Sequence, residues 1–409
     1  MPRRMLLVSL LILVLAGAVT WGVVALGGPS PPISIGVIYN TSGGLKWLDD
    51  PGLNGVLLAA EQINDEGGVL GRQIEVVAGD GTTDVVKMTD VAAQLTARDD
   101  IVALAGINEP LHAVAPVRAT IKRADGGFLT FSHSETALAV GEVAQAAGVP
   151  FVTAGSTRGS LPEVVGDEAF MVAAPHEDGA TAIARYAWDD LGGREAWVLV
   201  DERSDYAKGL AAAFEEAWTG LGGGLTGDGY TPGAVIQIPD QIERLESQTT
   251  TPDVIFIASM PNDGGYLLDQ LREAGVDQPV LFADVVDPRY IEAMGGDMRD
   301  VHMATHGSIE DPDDDMQAFV DAYSEEHGTA PESATAMLGY DTMRLIAEAI
   351  ERAGSTSHEA VTGSLAETSD FAALTGTLTY PDGHTPSKPI TIVAYEGGEP
   401  EVVAEITIR

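Results

Sequence analysis

Hydrophobic positions from residue 33 onward follow two alternating periods. Short β-branched runs, such as 33–39 and 74–77, predict strands. The longer stretches between them repeat apolar residues every three or four positions, which predicts helices. The predicted helix 53–66, for example, has one apolar face and ends at Gly67 and Gly68. Strands that alternate with helices in this way are typical of βαβ units built around a parallel sheet.

The alternation occurs in two series, one before and one after Pro175, and this predicts two doubly wound α/β lobes. The first series continues with helices 84–96 and 134–147 and strands 101–105 and 151–154. The second series comprises helices 179–191, 206–221, 241–248, 264–274 and 288–294 and strands 196–200, 235–238, 254–258, 279–283 and 301–304. Two further helices, 316–327 and 335–352, precede a tail, 374–409, with predicted hairpin strands around the turn 381–384.

The N-terminal part of the chain differs from the rest. Arg3 and Arg4 precede an apolar run, 5–28, that is long enough to cross a bilayer core of about 30 Å. The run also fits a secretory signal with a small-residue cleavage site at 16–18. Both interpretations export the remainder, because the two arginines stay on the cytoplasmic side. Apolar character continues past residue 18, which favours an uncleaved anchor, so 1–32 is predicted to be a signal or anchor segment with a short spacer.

The charge balance excludes several kinds of partner and site. The chain has 62 acidic and 22 basic side chains, a formal net charge of -40 and no cysteine. A field of this sign repels nucleic acid, so binding through phosphate contacts is not expected. The acids are spread along the chain, which favours a solvated acidic surface over a cation site. Without cysteine there is no disulfide framework, no thiolate metal ligand and no common lipid tether.

Polar residues follow the predicted strands at their carboxyl ends, where ligands bind in open α/β sheets. Those of the first lobe are mainly hydroxyl and small residues, and those of the second lobe include acids. Helix-start N–H groups and hydroxyls bind a carboxylate, and a lone carboxylate across the cleft binds an ammonium, so the pattern suits a zwitterion. Each Ser or Thr is alternatively an ordinary helix N-cap. The residues are 40–42, 132–134, 155–157, 201–206, Ser259, Met260 and Asp284.

Sequence signals for catalysis or metal binding are weak. There is no GxSxG elbow, no GxxxxGK loop and no GxGxxG after the first strand. His302 and His306 are four residues apart, but on a strand and its exit they lie too far apart to chelate one ion. Residues 311–315 resemble the start of a calcium loop without its glycine and final acid, and an acidic first helical turn explains them better. We therefore expect no enzyme activity, no cofactor and no metal.

Six segments spread over both predicted lobes point to a family. They are NGVLLAAEQINDEGGVLGR (54–72), SETALAVGEVAQAAGVPF (134–151), TAGST (153–157), SDYAKGL (204–210), TPDVIFIA (251–258) and AGVDQPVL (274–281). In this order they resemble the branched-chain amino acid type, or Leu/Ile/Val-binding-like, substrate-binding proteins of ABC importers. The resemblance implies a type I periplasmic binding fold, in which two lobes joined by three crossovers close on a ligand. The implied first lobe is 33–174 plus 307–376, and the second is 175–306 plus 377–409.

The resemblance also implies a ligand site. It places the ligand carboxylate at Ser134 and at the loop that contains Gly155, Ser156 and Thr157, and the ligand ammonium at Asp284. In the same way, Tyr206 is expected to close over the ligand from the second lobe and Trp47 to cap its side chain. The sequence departs from the family at Met260, where amino-acid binders often have a tyrosine, and by an insertion, 107–131. We expect the insertion to pack beside the cleft or to contact the permease.

The leading functional hypothesis is an extracytoplasmic binding protein that delivers a small amino-acid-like solute to the permease of an ABC importer. The family also includes receptors for amides, urea and aromatic acids, so these ligands remain alternatives. A second hypothesis is the ligand-sensing component of a receptor, which would need a separate partner for its output. An enzyme on the same scaffold is a third, for which the sequence shows no nucleophile, base or cofactor loop.

Overall fold

A computed structural model of the chain describes residues 30–107, 136–233, 235–260, 263–285, 291, 297–331, 333–395 and 400–408, and the backbone of 117–122 and 128–133. The chain divides into two units, Met1–Ser30 and Pro31–Arg409, and the fold that follows is that of the second unit. The predicted signal or anchor segment therefore lies almost wholly outside the described residues. Within the described ranges, no helix is sufficiently long and apolar to span a membrane.

The first lobe is built on a five-stranded parallel sheet with the order β2-β1-β3-β6-β7. Both faces of this sheet are covered, because alternate residues of β1, such as Val37 and Ile38, belong to two different buried clusters. Burial on both faces explains why its strands are continuous apolar runs. The strands are β1 Ile33–Tyr39, β2 Ile74–Asp80, β3 Ile101–Gly106, β6 Phe151–Thr153 and β7 Ala169–Met171.

The second lobe is built on a seven-stranded sheet with the order β14-β13-β12-β11-β10-β8-β9. Strands β8 to β12 pair in parallel, and β13 and β14 add an antiparallel hairpin at one edge. The strands are β8 Glu195–Asp201, β9 Gly224–Tyr230, β10 Val254–Ala258, β11 Val280–Val285, β12 Val301–Thr305, β13 Pro389–Tyr395 and β14 Pro400–Thr407. The predicted fold class, two doubly wound α/β lobes, is confirmed.

Helices cover both sheets, and the chain crosses between the lobes three times. The crossings run from β7 to the helix His176–Asp189, from β12 to the helix Asp314–His327, and from the segment after the helix His358–Ala366 to β13. The helices are α1 Lys46–Asp65, α2 Val85–Thr96, α3 Thr136–Ala147, α4 Leu161–Val165, α5 His176–Asp189, α6 Asp205–Gly220, α7 Pro239–Glu246, α8 Gly264–Glu273, α9 Asp314–His327, α10 Ala334–Ala353 and α11 His358–Ala366.

The predicted strand 235–238 is wrong, and the strand lies earlier, at β9 (Gly224–Tyr230). Val235 is 72% exposed and the residues around it form no strand. In β9, Gly227 pairs with Val198, and a Cβ at Gly227 would lie 2.7 Å from the Val198 carbonyl oxygen. β9 is an edge strand rich in glycine. It pairs through its backbone but has few hydrophobic side chains, so its sequence shows no alternating hydrophobic pattern.

Three other predicted elements have different outcomes. Helix α1 begins at Lys46 and includes Pro51, earlier than the predicted start at residue 53. The predicted hairpin at 381–384 is a turn closed by a single antiparallel bridge, Thr379 to Ser387, and the regular hairpin is β13–β14. Of the predicted helix 288–294, only residue 291 is among the described residues.

The segment inserted after β3 contains a two-stranded antiparallel hairpin, β4 Val117–Lys122 and β5 Phe128–His133. The backbone of β4 lies near α2, and that of β5 lies near α3. The expected packing of the insertion beside the cleft or against a permease stays a prediction.

Helices α1 and α10 pack closely through glycines. A Cβ built at Gly339 of α10 would clash with the Gly52 carbonyl of α1, and one built at Gly55 would clash with the Ala336 carbonyl. A close approach of two backbones is a use of glycine that the hydrophobic pattern does not reveal.

A buried acid and a buried lysine meet where the chain crosses between the lobes for the third time. Asp341 of α10 accepts hydrogen bonds from the backbone N–H groups of Leu374, at 2.7 Å, and Thr375, at 3.1 Å. Lys388, directly before β13, donates to the Thr375 hydroxyl. Burial raises the pKa of Asp341, against the lowering effect of Lys388. Burial likewise lowers the pKa of Lys388 to about 8, against the raising effect of Asp341.

We predict that Gly339→Ala lowers the free energy of unfolding by about 1–3 kcal/mol, because the added methyl group forces the α1 and α10 backbones apart. Gly363→Ala is the matched control. Gly363 lies within α11 with open space around it, so the alanine should be neutral or stabilise by up to about 1 kcal/mol. Denaturant unfolding of both variants measures the difference, and equal effects would contradict the close approach.

We predict a pH-dependent contribution of Lys388 to stability. The pKa of Lys388 is about 8 in the folded protein, below that of an unfolded lysine, so the unfolded chain binds more protons between these two values. Stability should therefore rise with pH above about 8, by up to about 1.4 kcal/mol per pH unit from this group. Subtracting the unfolding free energies of Lys388→Met from those of the wild type at each pH isolates the rise. A difference that stays constant across the window would show that Lys388 does not titrate there.

Candidate functional site

Two residues predicted for the ligand site meet across the lobes. Thr157 lies in the loop after β6 of the first sheet, and Asp284 lies in β11 of the second sheet. The Thr157 hydroxyl oxygen Oγ1 donates to Asp284 Oδ2 over 2.9 Å, and both side chains are buried. Because these residues belong to different sheets, this hydrogen bond joins the two lobes directly.

Asp284 accepts two further hydrogen bonds from the second lobe. The Tyr206 hydroxyl donates to Oδ2 over 2.7 Å, and the His306 ring nitrogen Nε2 lies 2.7 Å from Oδ1. Asp284 is 8% exposed and His306 is 3% exposed. Thr157, Tyr206, Asp284 and His306 are called the Asp284 cluster below. In this cluster, three donors from three separate parts of the chain surround one carboxylate.

Local sequence explains how these side chains reach one point. The Ser204 hydroxyl accepts from the Ala207 backbone N–H over 3.1 Å and caps α6, which presents Tyr206 from the first turn of the helix. His306 follows β12 directly. Asp284 has a φ of +58° at an irregularity in the pairing of β11 with β12. Aspartate tolerates this left-handed conformation better than most residues, and such strain is concentrated at functional sites.

Electrostatics keep the Asp284 carboxyl group charged. Burial acts to raise its pKa, but the hydrogen bond and charge of His306 oppose burial, together with the charge of His176 and the Tyr206 hydrogen bond. The net result is a pKa below the usual value for aspartate. His176, at the start of α5, also supports the cluster by direct contact. Its Nδ1 lies 2.8 Å from the Thr157 carbonyl oxygen, and the centroid of its ring lies 5.1 Å from that of the Tyr206 ring.

Two buried polar atoms, one in the Asp284 cluster and one on a residue beside it in the chain, have no hydrogen-bond partner among the residues that the structure describes. They are the Ser156 hydroxyl oxygen and the Nδ1 atom of His306. Ser156 is 1% exposed and directly precedes Thr157. Its neighbour Gly155 is also buried, and the Gly155 N–H donates to the Ile107 carbonyl oxygen over 3.2 Å. A buried polar group without a partner is costly, and both atoms can form a hydrogen bond with a ligand.

The remaining predicted site residues are not members of the Asp284 cluster. Trp47 lies in the first turn of α1 and is 44% exposed. The sulfur of Met260 lies 3.4 Å from the Ser204 hydroxyl oxygen, next to the helix that presents Tyr206. Ser134 lies outside the described residues. The ligand contacts expected of Trp47, Met260 and Ser134 stay predictions.

Sequence reasoning missed two histidines of the site. The sequence pattern pairs His306 only with His302, as possible metal ligands, and does not single out His176. A signal for His306 was available, since it directly follows a strand of the second lobe, at the carboxyl end where Asp284 was expected. Within the described ranges, no group of three or more potential ligands could hold a metal ion. The acids at 311–315 act as expected in a helix start, since Asp313 accepts from the Asp315 N–H and caps α9.

Comparison with known proteins identifies the family. A family model described as periplasmic binding protein matches residues 32–125 and 117–399. The Leu/Ile/Val-binding protein BraC3 of Rhizobium johnstonii is 24% identical over 372 residues, which cover 90% of this chain and 92% of that protein.

Solved structures agree on the fold. LivJ from Streptococcus pneumoniae, a branched-chain amino acid transporter substrate-binding protein in complex with isoleucine, has a TM-score of 0.75 at 23% identity and covers 92% of this chain and 100% of its own. A solute-binding protein of an ABC transporter from Rhodopseudomonas palustris BisB5, in complex with 3,4-dihydroxy benzoic acid, has a TM-score of 0.71 at 20% identity, over 92% of this chain and 97% of its own. The resemblance found in the sequence is confirmed, and the chain belongs to the periplasmic binding protein family of substrate-binding proteins.

Proposed function

We propose that this protein captures a small carboxylate-bearing solute between its two lobes, outside the cytoplasm, and delivers it to the permease of an ABC importer. Family membership supports a binding role, since the relatives are named as binding proteins and not as enzymes. An exported chain, held at the membrane by its N-terminal segment or released from it, fits this role.

One observation is central to the proposal, the hydrogen bond of 2.9 Å between Thr157 and Asp284. It lies at the carboxyl ends of strands in both lobes, where open α/β sheets bind ligands. Because the bond joins the lobes, it stabilises the closed arrangement, and a ligand bound beside it would add contacts to both lobes. Closure of two lobes around a ligand is the hinge movement by which such proteins trap a solute.

The open donors of the site support a carboxylate-bearing ligand. Isoleucine, named with LivJ, and dihydroxybenzoic acid, named with the Rhodopseudomonas protein, share a carboxyl group and differ in everything else. In this chain the Ser156 hydroxyl is buried without a partner in the described part of the structure and can donate to such a group. We propose that Ser156 binds the carboxylate together with the Gly155 loop and Ser134, and that Tyr206, Met260 and Trp47 lie around the remainder of the ligand.

We predict that carboxylates drawn from amino acids and aromatic acids raise the melting temperature of the wild type, since a ligand at a hundredfold excess over Kd stabilises by about 2.7 kcal/mol.

Ser156→Ala should bind the best ligand about 10- to 100-fold more weakly, because a hydrogen bond to a charged group is worth about 1.5–3 kcal/mol. Calorimetry measures the loss. Ser247→Ala, at the exposed end of α7, is the control and should bind like the wild type. If no small carboxylate binds the wild type, the proposal is wrong.

We predict that Thr157→Val shifts the ligand-free protein toward an open arrangement, because it removes the hydrogen bond between the lobes while keeping the side-chain shape. The sequence contains no cysteine, so cysteines introduced at the exposed positions Glu61 and Glu246, one on each lobe, can be spin-labelled uniquely. Distances between the labels should broaden in Thr157→Val and stay as in the wild type in Thr157→Ser, which keeps the hydroxyl. Identical distance distributions for Thr157→Val and the wild type would show that Thr157 takes no part in closure of the lobes.

A further inference from the structure

The loop after β6, which contains Thr157, is hydrogen-bonded to the first crossing between the lobes. The backbone N–H of Ala173, in the crossing, donates to the Ala154 carbonyl oxygen over 3.1 Å. Further along the crossing, His176 is the first residue of α5, and its N–H donates to the Thr157 carbonyl oxygen over 2.9 Å. The crossing therefore follows the loop up to the residue at which the second lobe begins.

His176 provides a second donor for the same carbonyl oxygen. Its ring nitrogen Nδ1 lies 2.8 Å from the Thr157 carbonyl oxygen. A carbonyl oxygen only accepts hydrogen bonds, so Nδ1 carries a hydrogen whether the ring is neutral or protonated. The contact therefore does not depend on the charge of the ring. One residue at the start of the second lobe binds the Thr157 backbone with two donors.

The direction of this ring is fixed by its surroundings. His176 is 8% exposed, and the centroid of its ring lies 5.1 Å from that of the Tyr206 ring in α6. A Cβ built at Gly209 of the same helix would lie 2.9 Å from Nε2, so the α6 backbone comes close to the ring. The ring is thus held between α6 and the Thr157 carbonyl. A donor held by packing in this way can orient its partner.

We propose that His176 is the positioning residue for closure of the lobes, because it orients the Thr157 backbone so that the Thr157 hydroxyl reaches Asp284. The inference rests on the proposed function and names the residue on which its closing contact depends. The hydrogen bond between Thr157 and Asp284 is 2.9 Å long and buried at both ends. Hydrogen bonds weaken steeply when their geometry departs from the ideal, so a Thr157 backbone without its two donors would form this bond less often.

The place of His176 in the chain supports this role. Hinge movements concentrate their backbone rotation in a few residues of loops or at the ends of elements, and His176 is at such a place, between the first crossing and α5. Its bonds to Thr157 can therefore persist when Asp284 moves away. Because Ser156 directly precedes Thr157, the same two bonds also orient the Ser156 hydroxyl for a ligand.

Leucine and asparagine at position 176 test the inference as a matched pair. Both side chains branch at Cγ, as histidine does, and only asparagine has an N–H donor at the position of Nδ1. In ligand-free protein with spin labels at Glu61 and Glu246, as above, His176→Leu should raise the open fraction about two- to tenfold, the factor expected for one hydrogen bond. His176→Asn should restore the wild-type distances. Equal distance distributions for the two variants would overturn the inference.

A double variant distinguishes positioning from a merely structural role. If His176 acts through Thr157, His176→Leu should not open the lobes further in a Thr157→Val background, because the hydrogen bond that it positions is already absent. A full additional effect in that background would show that His176 acts elsewhere, and the inference would be wrong.

The wild type provides an independent measurement, which decides the matter if His176→Leu does not fold. Heteronuclear NMR of the histidine rings distinguishes a protonated Nδ1 from a bare one, and the ring signals that His176→Asn loses belong to His176. Its Nδ1 should stay protonated at every pH at which the protein is folded, and a bare Nδ1 would overturn the inference. All three measurements use ligand-free protein, so their failure is distinct from that of the carboxylate screen, which would refute the proposed function instead.

Discussion

The structure depends on pairing one buried carboxylate at the junction of the lobes. Asp284 is almost fully buried and ionised, and an ion in such a place is stable only with several hydrogen bonds and a compensating charge. Thr157 provides a hydrogen bond from the first lobe, and Tyr206 and His306 provide two from the second. Of the three donors, one therefore comes from the first lobe and two come from the same lobe as the carboxylate. In the opening that we propose, the carboxylate would lose one donor and keep two.

The excess of acids over bases limits how many carboxylates of this chain can pair with a lysine or an arginine. With 62 acids and 22 bases, most acids cannot have a basic partner. Around the loop after β1, Asp49 accepts from the backbone N–H and side-chain amide of Asn40 over 2.7 and 2.8 Å. Asp80 accepts from the N–H groups of Thr41 and Thr82 over 3.0 and 2.9 Å. Backbone N–H groups, amides and hydroxyls thus replace lysine and arginine as partners, which stabilises the loops without using a cation.

The two buried acids at the lobe junction and the third crossing differ in their partners and consequently in their electrostatics. Asp284 has a histidine in direct contact, and its pKa is lowered in spite of burial. Asp341 has Lys388 only through the Thr375 hydroxyl, and burial raises its pKa. At Asp284, direct contact with a histidine thus outweighs desolvation, whereas at Asp341 an attraction that acts through an intervening hydroxyl does not. The first arrangement suits a binding site, and the second ties a crossing segment to α10.

The sequence by itself determined the fold class and the sheet edge at which we place the candidate site. Its periods of hydrophobicity report which residues face a core, and in parallel sheets the ends of the strands then locate polar residues such as Thr157, Tyr206 and Asp284. The edge strand β9 escaped detection because it pairs through its backbone. Only the tertiary structure decided which polar groups meet. Thr157 and Asp284 are 127 residues apart and their contact depends on the order of strands in two sheets and on how the lobes close. Local patterns contain no information on such a distant pairing, and for that reason the contact between His306 and Asp284 became evident only in three dimensions.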